Sequence, residues 1–302
     1  MTEEIEQNLK HWMRWSFLKI GAWQDVNIPA SGYYGGDFSL LSPAIDSSFD
    51  DYSVYETPKL DLVFEEDVDF NGAEPIGISG VWINSAFYPQ NDVTYGHYVD
   101  YENGRVIFTN ALSATDEVKM NYSYRTVSIQ IADESEIWKE VQYGTLRVDD
   151  PHVLDNTKGE WTAIPSLKRQ QLPVIVLEAV SKGTQKPYEI GGQTMYVYRD
   201  ILAHILSENR YLRNRLADIL AFEQEHVIWL FNSDALAGST DWPLDYRGAK
   251  TSTGLNYEAL IEAHKWLKMT IKESVISEVE SFHPRLIEAT VRLKTETIFG
   301  RD

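Results

Sequence analysis

Apolar side chains recur every three or four positions at the start of the chain, which is the spacing of one face of an α-helix. These positions are Ile5, Leu9, Trp12, Met13, Phe17 and Ile20. Thr2 is a suitable N-cap, Glu3 favours the positive end of the helix dipole, and Gly21 ends the pattern. The pattern predicts an N-terminal helix within residues 1–30 that docks on its own domain or on a neighbouring subunit.

Residues 31–150 form a second pattern, in which a polar loop rich in Gly, Ser, Tyr and Asp precedes strands. Between 76 and 131, apolar residues alternate with polar ones, as in the series Val118, Met120, Tyr122 and Tyr124. Alternation predicts strands with one buried face, and Asn103-Gly104 favours a primed hairpin turn. We expect a small antiparallel sandwich or barrel of about four to six strands, followed by a short helix capped by Asp133.

A polar linker over residues 149–165 separates this module from a third region, residues 151–302. An apolar run at 172–177, a Gly191-Gly192 turn and an alternating segment at 195–206 predict two paired strands. A helix over 208–225, with Ser207 as its cap, follows directly. Residues 227–231 fit either a short buried strand or the end of that helix.

The end of the chain completes a sheet. Residues 235–256 are polar and contain Trp242 and Tyr246, so we expect a surface arm or loop there. Helical spacing covers 257–267, and a strand follows from 269 to 279. After a His283-Pro284 turn, residues 286–299 alternate as a terminal strand, because Glu and Lys fall on its polar face. The fold class is therefore α+β, with an antiparallel sheet packed against a helix.

The overall charge limits the possible partners. The net charge is −19 and the sequence contains no run of basic residues, which argues against sequence-specific binding of nucleic acid. The absence of cysteine excludes disulfides and thiolate metal sites. No apolar run approaches the roughly 20 residues of a membrane-spanning helix, so we expect a protein without a membrane partner.

Candidate chemistry is sparse. His226 with Glu223 and Glu225 lacks the second histidine of a helical zinc motif, and the aspartates at 46, 50 and 51 lack the spacing of a calcium loop. No serine-nucleophile elbow occurs, and the many carboxylates define no particular glycosidase pair. We therefore expect no catalytic residues, no bound metal and no cofactor.

The aromatic side chains of the β-rich module leave a different role open. Five of them fall near predicted loops and strand edges: Tyr33, Tyr34, Trp82, Tyr95 and Tyr98. Aromatic faces at such positions stack on sugar rings in many binding proteins, whereas in others they simply fill the core. Sugar binding by this module is therefore an alternative hypothesis.

Several segments resemble known proteins. Residues 78–84 (ISGVWIN), 98–108 (YVDYENGRVIF) and 118–124 (VKMNYSY) resemble a β module of virion structural proteins of tailed bacteriophages. The chain as a whole, from 12–18 (WMRWSFL) to 288–296 (EATVRLKTE), resembles structural proteins of contractile-tailed phages, cyanophages in particular. The element order after residue 172 is similar to that of tail terminator and tail-completion proteins, which form a ring at the head-proximal end of the tail.

The resemblance implies a non-enzymatic virion protein of the neck or upper tail that acts as a homo-oligomeric ring. Its expected partners are further copies of itself and the tail tube, sheath or connector proteins. A ring requires two different complementary patches on each subunit. The expected assembly contacts are large aromatic residues of the first helix and of the two polar loops: Trp12, Trp15, Tyr33, Tyr34, Trp242 and Tyr246. The rival hypothesis is a baseplate or tail-fibre component that binds host glycans through the β module.

Overall fold

The structure is a computed structural model that describes residues 2–28, 37–44, 46–144, 171–180, 183–189, 194–278 and 286–299. Its α+β architecture confirms the predicted fold class. Several features predicted from the sequence lie outside the described residues: Tyr33, Tyr34, the linker at 149–165, the Gly191-Gly192 turn and the His283-Pro284 turn.

The described residues form five helices and sixteen strands. The helices are α1 (Thr2–Lys19), α2 (Glu136–Gln142), α3 (Arg210–Ala221), α4 (Ser233–Leu236) and α5 (Tyr257–His264). The strands of the first half are β1 (Trp23–Val26), β2 (Ser42–Pro43), β3 (Val54–Glu56), β4 (Gly80–Ile83), β5 (Ala86–Pro89), β6 (His97–Asp100), β7 (Arg105–Phe108), β8 (Val118–Lys119), β9 (Tyr122–Arg125) and β10 (Ser128–Ile131). Those of the second half are β11 (Val174–Ala179), β12 (Thr184–Pro187), β13 (Met195–Ser207), β14 (Val227–Phe231), β15 (Lys265–Glu278) and β16 (Ile287–Phe299).

The largest sheet has seven strands in the order β10-β11-β13-β16-β15-β14, and β12 pairs with the other half of β13. All neighbours are antiparallel except β10 and β11. The predicted terminal strand is confirmed, since Val291 and Leu293 of β16 are buried while Arg292 between them is exposed. Its pairing with β15 confirms the predicted terminal hairpin, and 227–231 is a strand.

The inner face of this sheet, which carries Ile201, Val291 and Leu293, holds the main hydrophobic core. Helix α1 contributes the apolar positions predicted from its spacing, from Ile5 to Phe17, and α3 contributes its own apolar face. The first helix therefore packs on the sheet of the C-terminal half. Strand β10, which follows the β-rich region in sequence, joins the same sheet through β11.

The β module in the structure comprises β1 and residues 37–125, and it consists of three small sheets with the orders β1-β9, β2-β3-β7-β6 and β5-β4-β8. Its separate core contains Tyr55, Val81, Met120 and Tyr122. The primed turn predicted at Asn103-Gly104 is wrong: β6 and β7 are joined by four residues, of which only Gly104 has a positive φ, +60°.

A primed turn forms instead at the other Asn-Gly pair of this module. Asn71 and Gly72 have φ values of +56° and +81°, and Phe70 and Ala73 on either side exchange two backbone hydrogen bonds. These are the backbone angles that favour Asn-Gly in tight hairpins. The two Asn-Gly pairs therefore adopt different turn conformations, because the length of the loop between the paired strands selects the turn type.

Two predicted helix caps are also wrong. Helix α2 is capped by Ser135, whose Oγ accepts a hydrogen bond from the Trp138 amide, rather than by Asp133. Helix α3 is capped by Asn209 instead of Ser207, and it ends at Ala221, four residues before the predicted end. Ser207 is the last residue of β13, so its backbone is committed to the sheet ladder. Helix α5 similarly stops at His264 because β15 begins at Lys265.

Candidate functional site

A cluster of buried charges joins α1 to the β module. The guanidinium of Arg14 lies 3.2 Å from Asp61 and 3.1 Å from Glu102. Arg125 of β9 lies 3.3 Å from the same Asp61 and also pairs with Glu65. Except for Glu102, these side chains are more than nine-tenths buried, so each charge depends on its partners for stabilisation. The cluster fixes the position of the β module on α1.

Two groups beside this cluster have strongly shifted pKa values. The positive charge of Lys10, together with Arg14, holds the pKa of Glu102 at about 2. Burial, reinforced by Arg14 and Lys10, lowers the pKa of His11 to about 3. His11 is therefore neutral at physiological pH, and its ring packs edge-on against Phe231 and Trp242. The attraction that lowers the pKa of Glu102 stabilises the contact between the helix and the β module, whereas burial keeps His11 neutral, and neither group is a proton donor at neutral pH.

The loop over 237–256 also ties the two halves of the chain together. The amide of Tyr101 donates to the carbonyl of Gly248 at 3.0 Å, and the guanidinium of Arg247 lies 4.8 Å from the ring centre of Tyr98. Lys250 pairs with Glu66 at 3.1 Å. The predicted arm therefore contacts the β module of its own subunit over residues 247–250.

The predicted assembly contacts occupy different environments. Trp12 is 5% exposed and lies in the main core, and Trp15 is half-buried at its edge. Trp242 packs against Phe231 and His11 of the same chain. Tyr246, in contrast, is 96% exposed. Of the four aromatic contacts that the structure describes, Tyr246 is the one that projects into solvent.

The outer face of the large sheet, opposite α1 and α3, presents an extended surface. One row of directly paired residues crosses five strands: Thr184, Tyr198, Glu296, Thr270 and Val227. The adjacent row contains Lys186 opposite Tyr196, Tyr196 opposite Ile298, and Lys268 opposite Trp229. Neighbouring strands lie about 4.8 Å apart, so each row is about 19 Å long. We call these two rows, with the flanking Tyr188, Lys265 and Lys272, the outer patch.

Aromatic and aliphatic groups of the outer patch are unusually open to solvent. Val227, Trp229 and Ile298 are each more than a third exposed, and Tyr188 is 51% exposed. Tyr188, Tyr196 and Tyr198 form a continuous series with ring centres 5.1 and 6.2 Å apart. No helix within the described ranges packs over these rows, since α1, α3 and α5 contribute to the core on the inner face. The sequence alternation indicated a polar face here, but the rows follow only from the register of the strands.

Lysines dominate the charge of the outer patch. Its acidic side chain Glu296 pairs with Lys272 at 3.0 Å, and the Tyr198 hydroxyl donates to the same carboxylate. Lys265 lies 3.3 Å from the ring centre of Trp229, and Lys186 lies 5.5 Å from that of Tyr198. Lys268 is exposed in the same row. The patch thus carries positive charge in a chain whose net charge is −19.

Helix α2 covers the other end of the outer face. Trp138 stacks on the ring of His204 with centroids 4.0 Å apart. The two ring nitrogens of His204 lie 2.9 Å from Glu288 and 3.1 Å from Glu178. A histidine between two carboxylates is a catalytic arrangement when it faces a cleft, but here the tryptophan ring covers it. The group serves to seat α2 on the sheet.

The residues considered as metal ligands from the sequence do not come together in one site. Asp46 pairs with Arg105 at 2.9 Å, while Asp50 and Asp51 point into solvent. The Nδ1 atom of His226 lies 3.1 Å from a carboxylate oxygen of Glu223. In the part of the chain that the structure describes, no group of three or more His, Asp or Glu side chains is arranged to hold a metal ion.

The aromatic residues proposed for sugar binding are partly engaged within the chain. Arg247 lies over Tyr98, and Tyr95 contacts Tyr88 with ring centres 4.5 Å apart. Trp82 contacts Phe87 at 4.8 Å, and Phe87 is 44% exposed. The β4–β5 hairpin is therefore the one described part of this set that leaves an aromatic face open.

No helix of the described ranges has the length and apolar character needed to cross a membrane. Compared with models of known protein families, the chain matches none. A comparison with curated protein sequences likewise gave no match.

Proposed function

We propose that this protein is a non-enzymatic structural protein of a bacteriophage virion. It is located at the neck or upper tail of the virion, where it serves as a head–tail junction, tail terminator or tail-completion protein. It acts as a homo-oligomeric ring. The resemblance of residues 78–124 and of the chain ends to virion proteins suggests this class. The observation that carries the proposal is the outer patch, a wide sheet face with exposed aromatic and aliphatic groups.

The physical argument concerns the cost of leaving such a face in water. A contiguous patch that includes Trp229, Val227 and Ile298 exposes apolar area that association would bury, at about 25 cal/mol per Å². Long paired strands hold the backbone beneath these groups in place, so little backbone entropy is lost on binding. A surface of this kind suits permanent assembly with a protein partner better than catalysis, which requires a cleft.

The remaining surface is compatible with this role. Residues 37–131 contain sixteen Asp and Glu residues against four Lys and Arg residues. An acidic surface that lined a ring would repel DNA phosphates and let a genome pass without adhering. The proposed partners are further copies of the chain and the tail tube, sheath or connector proteins of the virion, and the proposed location is the virion.

Native mass spectrometry and negative-stain microscopy test the proposal. We expect closed rings from the purified protein, alone or with tail tube protein, and density at the neck or upper tail in images of the virion. The Trp229→Ser/Ile298→Ser variant should lose the rings. The matched control is Tyr143→Ser, which removes a 79% exposed aromatic side chain at the C-terminal end of α2 and outside the outer patch. A chain that stays strictly monomeric under all these conditions refutes the proposal.

One observation favours a second candidate, a baseplate or tail-fibre component that binds host glycans. Phe87 is exposed beside Trp82, which gives a sugar ring an open aromatic face. A glycan array would show binding that Trp82→Ala abolishes. The companion variant Tyr98→Ala should have little effect in this case, because Arg247 already lies over that ring. Absence of binding to any glycan would eliminate this candidate.

A further inference from the structure

We infer that the outer patch binds the acidic side of a second copy of this chain, in a head-to-tail contact. The inference rests on the proposed function, which it deepens by naming the two surfaces that meet. The outer patch and its proposed binding surface carry opposite charges. Three lysines of the patch, Lys186, Lys265 and Lys268, are exposed and lie beside the rings of Tyr198 and Trp229. Among the described residues, none of the three forms an ion pair with a carboxylate.

The complementary surface is the turn over residues 66–74, which we call the acidic turn. It contains Glu66, Asp67, Asp69 and Glu74, all exposed, within nine residues. Lys250 already pairs with Glu66, and Asn256 donates to Asp67. Asp69 and Glu74 take part in neither of those contacts, and Phe70, which is 37% exposed, lies between them in sequence. An exposed aromatic ring flanked by carboxylates matches a surface of tyrosines flanked by lysines.

The acidic turn is held rigidly. The paired hydrogen bonds between Phe70 and Ala73 close it, and the Asp69 carboxylate accepts a hydrogen bond from the Gly72 amide at 3.3 Å. The Phe70 ring lies over Gly21, where a Cβ atom would come within 2.5 Å of it, and meets Trp23 edge-on. A preorganised turn loses little conformational entropy when it binds, so more of the contact energy appears as affinity.

The outer patch and the acidic turn are built from different parts of the subunit. Helix α1 packs on the inner face of the sheet through Ile5 and Leu9, and its Leu18 packs against Val63 and Val68 at the base of the acidic turn. The outer patch therefore lies on the face of the sheet that α1 does not cover, whereas the acidic turn is anchored to the end of α1. A subunit with two different complementary surfaces forms heterologous contacts, which close into a ring when the rotation between neighbours permits it.

Two charge-reversed variants test the contact. The face variant is Lys186→Glu/Lys268→Glu, and the turn variant is Asp69→Lys/Glu74→Lys. Each should self-associate at least about tenfold more weakly than the wild type at about 0.1 M salt, because like charges then face each other. Mixed together, they should co-assemble with alternating subunits, since each variant then offers the surface that the other needs. Native mass spectrometry distinguishes the two chains by mass.

The possible results separate the inference from the proposed function. A wild type that never assembles refutes the proposed function itself. Wild-type rings that persist in both variants refute the inference alone, and so does a mixture that stays monomeric although each variant has wild-type circular dichroism. If a reversed variant is misfolded, the neutral pairs Lys186→Gln/Lys268→Gln and Asp69→Asn/Glu74→Gln replace it. Those pairs should weaken assembly in the same direction, and unchanged assembly would contradict the contact.

Discussion

Arg14 of the N-terminal helix and Asp61 of the β module lie 3.2 Å apart, and both side chains are more than nine-tenths buried. This pair connects an element of the large sheet's core with an element of the separate β core. Buried ion pairs contribute little over an apolar contact, but the loss of one partner strands the other charge in a medium of low polarity. The relative placement of the two halves therefore depends on this cluster.

Asp61→Asn tests that dependence. The substitution leaves Arg14 and Arg125 with one fewer carboxylate, and we expect the free energy of unfolding to fall by about 3 kcal/mol. Urea denaturation provides the measurement. Asp69→Asn, at an exposed position of the acidic turn, is the control and should change stability by less than about 0.5 kcal/mol. Equal effects of the two substitutions would show that the buried cluster is not structurally important.

The lowered pKa of His11 predicts loss of stability in acid. Its pKa is about 3 in the folded protein against 6.5 ordinarily, so between these values the unfolded chain binds a proton that the folded chain does not. This contribution is complete above pH 6.5 and decreases as the pH falls towards 3. Between pH 6.5 and 4.5 it amounts to at most about 3 kcal/mol.

Urea midpoints at pH 6.5 and 4.5 measure the effect. His11→Gln cannot be protonated, so its stability should depend less on pH over this window than that of the wild type. His226→Gln is the control, because that histidine is 45% exposed. A wild-type pH dependence in His11→Gln would contradict the assignment.

Because His204 contacts the buried carboxylate of Glu288, we expect the loss of one partner to destabilise the fold more than the loss of both. His204→Ala removes the 2.9 Å partner of a carboxylate that is 3% exposed and also removes the ring under Trp138. We expect a loss of about 3 kcal/mol, whereas His204→Leu/Glu288→Leu should lose less, because no charge is then left buried. Thermal unfolding gives both values. The single variants His204→Leu and Glu288→Leu complete the comparison, and losses that simply add in the double variant would show that the two side chains do not interact.

Two glycines with positive φ differ in their surroundings. At Gly104, with φ +60°, a Cβ atom would lie 2.4 Å from Thr57 Oγ1 and 2.5 Å from the Lys59 carbonyl oxygen, whereas at Gly72, with φ +81°, it would meet nothing within 4 Å. Gly72→Ala should therefore cost only the backbone term of about 1 kcal/mol, and Gly104→Ala should cost at least about 2 kcal/mol. Urea denaturation of the two variants makes the comparison. A smaller loss at Gly104 would mean that Thr57 and Lys59, which follow β3, move aside to make room for the added methyl group.

Periodicity alone determined the elements whose burial is regular along the chain. The spacing of Ile5, Leu9 and Met13 predicted α1, and the alternation around Val291 and Leu293 predicted β16, because each pattern records which side of one element meets the core. The α+β class follows from these elements. The caps at Ser135 and Asn209 were missed, since several nearby polar residues can cap a helix and the backbone path selects among them.

Only the tertiary structure decided what each buried face packs against. The sequence of α1 does not say that it lies on the C-terminal sheet, nor does that of β10 say that it pairs in parallel with β11, because such pairings depend on residues more than forty positions away. The same holds for Arg14 with Asp61. The outer patch is the clearest case: Lys186, Tyr196 and Trp229 are ordinary polar-face residues in sequence, and the strand register alone gathers them into one surface.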